Sequence, residues 1–318
     1  MKKNTILLLV IVLLLTGCKQ NKKEFRIGVI QWAEHPALQD SLEGMRLGLE
    51  EKNMLKNVEI EVKNAYEDAS NAMTIASQFS QKNVDVIYAI ATPSAQAAKN
   101  GTSKSKIPVI FSAVSDPVEA GLLNHSNHPE SHITGVSDLP PLASQIDLIT
   151  EILGEQVKIG VLYNTSEVNS LNQVKLLEEI VANSETEIIT KGISSANELL
   201  AASQQLAKTA DTLFIQNDNM VASATGLVVE QFKRQGKPVF MAEDGQFDLG
   251  ILASESVSYL ELGKQAGNMI ASLLLNEKTI VDMPVQIAQN TKLSINLEIA
   301  EELNIKLSRE LEERADKK

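Results

Sequence analysis

The sequence predicts an α/β protein built from two similar doubly wound parallel-sheet lobes joined by crossovers. Three observations carry this. The chain has 318 residues, too many for one ordinary core and suited to two. Apolar, β-branched runs alternate with amphipathic helical runs, the pattern of a parallel sheet covered by helices. The chain also repeats itself. RIGVI at 26–30 recurs as KIGVL at 158–162, VDVIY at 84–88 as ADTLF at 210–214, and IPVIF at 107–111 as KPVFM at 237–241. The three pairs come in the same order, each about 130 residues apart. Any one match would mean little, because apolar strand-like runs abound in α/β proteins.

The N-terminus is a separate object. Lys2 and Lys3 precede an apolar run over 6–15, the length of a signal-peptide core and too short to span a bilayer. It ends in LTGC at 15–18, matching the lipobox of bacterial lipoprotein precursors. Residues 1–17 are therefore expected to be a signal peptide, and Cys18, the only cysteine, the lipidated residue. Residues 18–24 would be a polar tether to the membrane's extracytoplasmic face. With one cysteine the chain can make no internal disulfide.

Lobe one is expected over 25–139 and lobe two over 140–246, with Pro140-Pro141 at the first crossover and a helix from Leu142 to Leu153 opening lobe two. Two later segments should return one to each lobe, about 247–282 to lobe one and about 283–310 to lobe two. Residues 311–318 read as a charged, frayed helix end.

Composition and motifs exclude several functions. The net charge is −12, whereas phosphate recognition needs clustered Lys and Arg, so no nucleic-acid partner is expected. There is no G-x-G-x-x-G after a strand, no P-loop lysine motif and no G-x-S-x-G elbow, so no catalytic role and no cofactor are expected. His125, His128 and His132 have a spacing that could collect a divalent ion. Their setting of Asn, Ser and Pro reads instead as a polar surface loop, and no metal site is assigned.

In open parallel sheets, ligands bind beyond the carboxyl ends of the strands. In lobe one, the repeated strands are followed by Gln31, Trp32, Glu34 and His35, by Thr92, Pro93 and Ser94, and by Ser115 and Asp116. In lobe two they are followed by Tyr163, Asn164, Ser166, Glu167 and Asn169, by Asp218 and Asn219, and by Glu243 and Asp244. All these strand ends carry hydrogen-bonding groups. Thr92-Pro93 and Asp116-Pro117 read as helix N-caps followed by proline, and a helix start can hold a carboxylate. Asp218 and Glu243 sit where an ammonium could be neutralised. Trp32, the single tryptophan, and Tyr163 offer rings for side-chain packing. The absence of arginine at these ends favours an amino acid over a sugar or nucleoside, both of which stay open.

The segments IGVIQWAEHPALQDSLEGMRLGL, AIATPSAQAAKN, IPVIFSAVSDPVEAGL, TGVSDL, VLYNTSEVNSLNQV, QNDNMVAS, PVFMAEDG and YLELGKQAG together resemble the tryptophan/tyrosine-type substrate-binding lipoproteins of ABC transporters, which have the type I periplasmic-binding-protein-like fold. The resemblance runs from about Phe25 to Ile305. It implies a monomeric extracytoplasmic receptor that delivers an aromatic amino acid to an ABC permease and, through it, to an ATPase. The family's motifs fall on Gln31, Glu34, His35 and Pro36, on Thr92–Ser94, and on Asp116-Pro117. In lobe two they fall on Asn164, Ser166, Glu167, Asn169 and Ser170, on Asp218-Asn219, and on Glu243. This chain departs from the family pattern at Trp32, at Pro140-Pro141, and at Ala242-Glu243-Asp244, where Gly-Ser-Glu is usual.

Overall fold

The computed structural model describes residues 24–125, 129, 132–243, 245–288 and 291–317. The expected lipidation at Cys18 and the residues before it lie outside these. The first lobe begins with β1 (Phe25–Gln31), α1 (Pro36–Glu51), β2 (Val58–Asn64) and α2 (Ala69–Lys82). It continues through β3 (Val86–Ile90), α3 (Thr92–Gly101), β4 (Val109–Ser112) and β5 (Ile133–Ser137). The second lobe runs through α4 (Leu142–Leu153), β6 (Lys158–Asn164), α5 (Val168–Val181), β7 (Glu187–Ile193) and α6 (Leu199–Thr209). It goes on with β8 (Thr212–Ile215), α7 (Asn219–Ser223), α8 (Thr225–Lys233), β9 (Val239–Met241) and β10 (Ala253–Val257). The chain then returns to the first lobe as α9 (Tyr259–Leu274) and β11 (Gln286–Ile287). It ends in the second as β12 (Thr291–Ile295), α10 (Leu297–Glu302), α11 (Arg309–Arg314) and β13 (Asp316–Lys317).

The sheets have the orders β11-β5-β4-β3-β1-β2 and β13-β12-β10-β9-β8-β6-β7. The cores β2-β1-β3-β4-β5 and β7-β6-β8-β9-β10 are thus the same arrangement used twice. All the pairs in both cores are parallel, and β3, β4, β8 and β9 are buried throughout, as strands covered on both faces must be. The repeat extends to single hydrogen bonds. Asp85 Oδ2 accepts from Arg26 N at 2.7 Å, and Asp211 Oδ2 accepts from Lys158 N at 2.9 Å.

The later crossovers differ from the expected boundaries. Residues 253–257 pair with β9 and β12 in the second sheet, not the first, because Leu252 and Ala253 are buried in the second lobe's core. Residues 283–287 belong to the first lobe, where Met283 and Val285 are buried and β11 pairs with β5. The tail is a built part of lobe two rather than a frayed end. Leu311 is 1% exposed, Ser308 Oγ caps α11, Arg314 pairs with Glu151, and β13 pairs with β12. The first two crossovers therefore fall at 138–141 and at 257–258, and a third lies between β11 in lobe one and β12 in lobe two.

α9 returns to lie directly on α1. Four glycines make the contact, Gly44 and Gly48 on one helix and Gly263 and Gly267 on the other. A Cβ at Gly44 would lie 2.0 Å from the Leu260 carbonyl oxygen, and one at Gly263 would lie 2.0 Å from that of Ser41. The helices touch backbone to backbone, and this fixes their N-terminal ends, at His35 and Tyr259, relative to each other. Overpacking such a contact costs about 1–3 kcal/mol. Gly263→Ala is therefore expected to lower the urea unfolding free energy by at least that much, with unchanged slope.

Candidate functional site

The carboxyl ends of both sheets face a shared cavity between the lobes. His35, Leu38, Ala113, Ser115, Asp138 and Tyr259 line it from the first lobe and the crossovers. Asn169, Gln216, Asn217, Asp218, Asn219, Ala222 and Glu243 line it from the second. Among the described residues, hydrogen-bonding contacts cross between the lobes. Asn217 Nδ2 donates to Asp138 Oδ2 at 3.1 Å, His35 Nε2 lies 3.5 Å from Asn219 Oδ1, and Ser223 Oγ donates to Glu67 Oε1 at 2.6 Å.

Local sequence places these groups. His35 ends an extended segment before Pro36, and proline at the first helical turn starts α1 there. Asp218 caps α7 by accepting from Val221 N. Asn169 lies in the first turn of α5, one turn after Asn164, and both amides turn toward Glu167.

A connected polar network underlies the lobe-two wall. Glu167 Oε1 accepts from Asn164 Nδ2 at 3.1 Å; its Oε2 accepts from Asn169 Nδ2 at 3.2 Å and from Asn219 Nδ2 at 2.5 Å. Asp218 Oδ2 accepts from Asn164 N at 2.5 Å and its Oδ1 from Val221 N at 2.9 Å. Each oxygen of Asp218 thus accepts a backbone N–H within lobe two, while the residue also lines the cavity.

Four buried polar atoms of the cavity wall have no hydrogen-bond partner: His35 Nδ1, which lies 4.0 Å from Glu243 Oε2, Asp138 Oδ1, Asn169 Oδ1 and Gln216 Oε1. Native structures leave few such atoms, and each costs about 1–3 kcal/mol when left unmet. Four around one cavity describe the outline of a polar ligand.

Burial sets the titration of this region. It drives His35 down to about 4, with the Asn219 hydrogen bond and the Glu67 charge opposing. It raises Glu167 to about 7, the Asp218 charge adding to the shift. It raises Asp138 and Asp218 as well, against the hydrogen bonds they accept. Tyr259 is pushed well above its usual value by burial and then by the nearby Asp138 and Glu243.

Of the residues expected from the strand ends, Ser115, Asn169, Asp218, Asn219 and Glu243 line the cavity. Gln31 donates to Ala33 O, Glu34 and Ser166 are exposed, and Asn164 and Glu167 form the supporting network behind the wall. Asp116 Oδ1 caps a turn by accepting from Val118 N and Glu119 N, away from the cavity. Thr92 is not the N-cap of α3. That position is Ala91, at φ 82°, and Thr92 and Pro93 are the first two helical residues. Ser94 Oγ is buried without a partner. Trp32 is 4% exposed within the lobe-one core, and Tyr163 packs over a lobe-two core. Neither forms the expected aromatic wall, and the ring in the cavity belongs to Tyr259.

Asp138, Gln216 and Tyr259 went unassigned in the sequence, Asn217 was placed only at a strand end, and His35 only in the first loop. The strand-end rule finds Asp138 after β5 and Tyr259 two residues after β10 once all five core strands of each lobe are used. In the histidine-rich stretch, His125 is exposed, His132 is bonded to Thr102 Oγ1 at 2.8 Å, and His128 lies outside the described residues. No group of three or more metal-ligating side chains occurs among the described residues, nor does any helix long and apolar enough to cross a membrane.

A family model described as ABC transporter substrate binding protein matches residues 26–318. The chain belongs to this family. This substrate-binding protein is 36% identical over 301 residues to the tyrosine-binding protein of Clostridioides difficile (strain R20291), the match covering 90% of this chain and 86% of the relative. It is also similar to the structure of an ABC domain from Streptococcus pneumonia in complex with L-Trp, with TM-score 0.88, 30% identity, and coverage of 92% and 99% of the two chains. The ligand-free, open structure of a substrate-binding protein with adhesive properties from Clostridium difficile gives TM-score 0.69 at 34% identity, covering 92% and 99%. The lobe arrangement here is therefore nearer that of the L-Trp complex than that of the open form.

The pH dependence of stability follows from His35. Unfolded, it titrates near 6.5; folded, near 4. Between these values the unfolded chain binds more protons, so the His35 contribution to stability falls as pH drops from 6.5 to 4. Glu167, raised in the fold, acts in the opposite sense as pH rises from about 4.5 to 7. His35→Gln removes only the first effect. The stability of the wild type minus that of the variant is expected to decline from pH 6.5 to 4, read from denaturant midpoints at each pH.

Proposed function

We propose that this substrate-binding protein is the extracytoplasmic receptor of an ABC importer and holds an aromatic amino acid, tyrosine or tryptophan, in the interlobe cavity. The observation that carries this reading is the set of buried, unpaired polar atoms around one cavity contributed by both lobes. The tyrosine- and tryptophan-binding relatives supply the ligand class. A ligand shifts the open–closed equilibrium only if it binds the closed form better, which contacts from both lobes provide. The closed form then presents a joint surface to the permease and its ATPase. The ligand carboxylate is assigned to the start of α3. Ser94 Oγ, in the first turn of that helix, is a buried donor without a hydrogen-bond partner. Lipidation at Cys18 would keep the monomeric receptor at the membrane surface.

The test is a thermal-shift screen of protein unfolded and refolded to strip bound solute. The panel holds the twenty amino acids, common sugars, nucleosides and divalent metals. A ligand at 100 times its Kd stabilises by about 2.7 kcal/mol, a shift of a few degrees. Tyrosine or tryptophan is expected to give the largest shift. A shift with sugars or nucleosides alone would keep the receptor role and discard the amino-acid site.

A further inference from the structure

We propose that Asp138 anchors the ammonium group of the ligand and, through Asn217 and Tyr259, makes that ammonium the trigger of lobe closure. The proposal deepens the receptor reading and rests on it.

Asp138 follows β5 at the first crossover and is 2% exposed. Its two oxygens have different fates. Oδ2 accepts from Tyr259 OH at 2.7 Å and from Asn217 Nδ2 at 3.1 Å, while Oδ1 makes no hydrogen bond of good geometry, the Ser115 hydroxyl lying near the carboxylate. The other acids of the region are engaged. Asp218 is held by two backbone N–H groups, Glu167 by three asparagine amides, and Glu243 accepts from Gln246 Nε2 at 2.8 Å and faces His35.

Two further unpaired acceptors come from lobe two, and their orientation is determined by their own donors. Gln216 Nε2 donates to Ser170 O, and Asn169 Nδ2 donates to Glu167 Oε2 and Asn217 O, so in each case the oxygen is the free atom. The wall thus offers three acceptor oxygens, one of them a carboxylate's, and no lysine or arginine lines it. An ammonium carries three N–H donors and one positive charge and meets this set atom for atom. A carboxylate or an ether oxygen meets none of it.

Position supplies the second half of the proposal. Tyr259 stands beside the second crossover, and Asn217 belongs to lobe two at the end of β8. One carboxylate therefore joins the first two crossovers and the opposite lobe, and an ammonium on Oδ1 reaches Asn169 and Gln216 only when the lobes are together.

The experiment is a cycle of two proteins and two ligands, using the full chain. Wild type and Asp138→Asn are titrated calorimetrically with L-tyrosine and with 3-(4-hydroxyphenyl)propionate, which lacks the amine. X-ray scattering follows compaction. Wild type is expected to prefer tyrosine by at least about tenfold, the range of a charge-assisted hydrogen bond, and to compact with tyrosine alone. In Asp138→Asn that preference is expected to collapse, with little change for the amine-free acid. Equal losses for both ligands, or an amine preference that survives in the variant, would overturn the assignment. If Asp138→Asn does not fold, the wild-type scattering arm still decides: equal compaction by both ligands removes the amine as trigger. If the protein binds a non-aromatic amino acid instead, the aromatic reading fails and the cycle is run on that acid and its deaminated analogue. Binding of amine-free solutes alone would sink both.

Discussion

Where the lobes meet, Asp138, Glu167, Asp218 and Glu243 are all withdrawn from water. Burying a carboxylate costs several kcal/mol unless hydrogen bonds or an opposite charge compensate. Much of the local architecture is that compensation. Asn164, Asn169 and Asn219 converge on Glu167, the start of α7 is wrapped around Asp218, and Gln246 reaches Glu243. Asp138 is the place where compensation stops halfway. Tyr259 and Asn217 satisfy one oxygen and leave the other in a cavity whose walls come from both lobes. A site left incomplete by its own protein is one that a ligand completes.

Holding such a site demands a stiff frame. The doubled five-strand core brings the carboxyl ends of both sheets to the same gap, and the repeated Asp85 and Asp211 bonds register the equivalent strands in each lobe. The glycine contact holds α1 and α9 backbone to backbone, and both helices start at the cavity, after His35 and at Tyr259. Asp138 and Tyr259 stand at or beside the first and second crossovers. The proposed ammonium anchor thus lies where the chain passes between lobes, a place where closure would be felt.

The doubled architecture was legible because β1, β3 and β4 and their counterparts β6, β8 and β9 are strongly apolar and recur in order. β5 and β10 were not, since ITGVS and ASESV are short and rich in small polar residues. With β10 misplaced, α9 and Tyr259 lost their position at the cavity. The strand-end rule located backbones but not side-chain directions, and successive residues leaving a strand point to opposite faces. Trp32 therefore went into the core while His35, three residues on, faces the cavity. Asp218 was identified as a cavity acid from its place after β8. Its occupation by Asn164 N and Val221 N depends on a long-range contact that no local pattern encodes.

The central claim is that the unpaired oxygens of the interlobe wall are the ligand's contact points. The most direct measurement is a high-resolution crystal structure of the protein grown with L-tyrosine or L-tryptophan. The account predicts density for the amino acid between the lobes, its nitrogen about 3 Å or less from Asp138 Oδ1 and within hydrogen-bonding range of Asn169 Oδ1 or Gln216 Oε1. A ligand whose nitrogen lies elsewhere, with water or a side chain meeting Asp138, would contradict it.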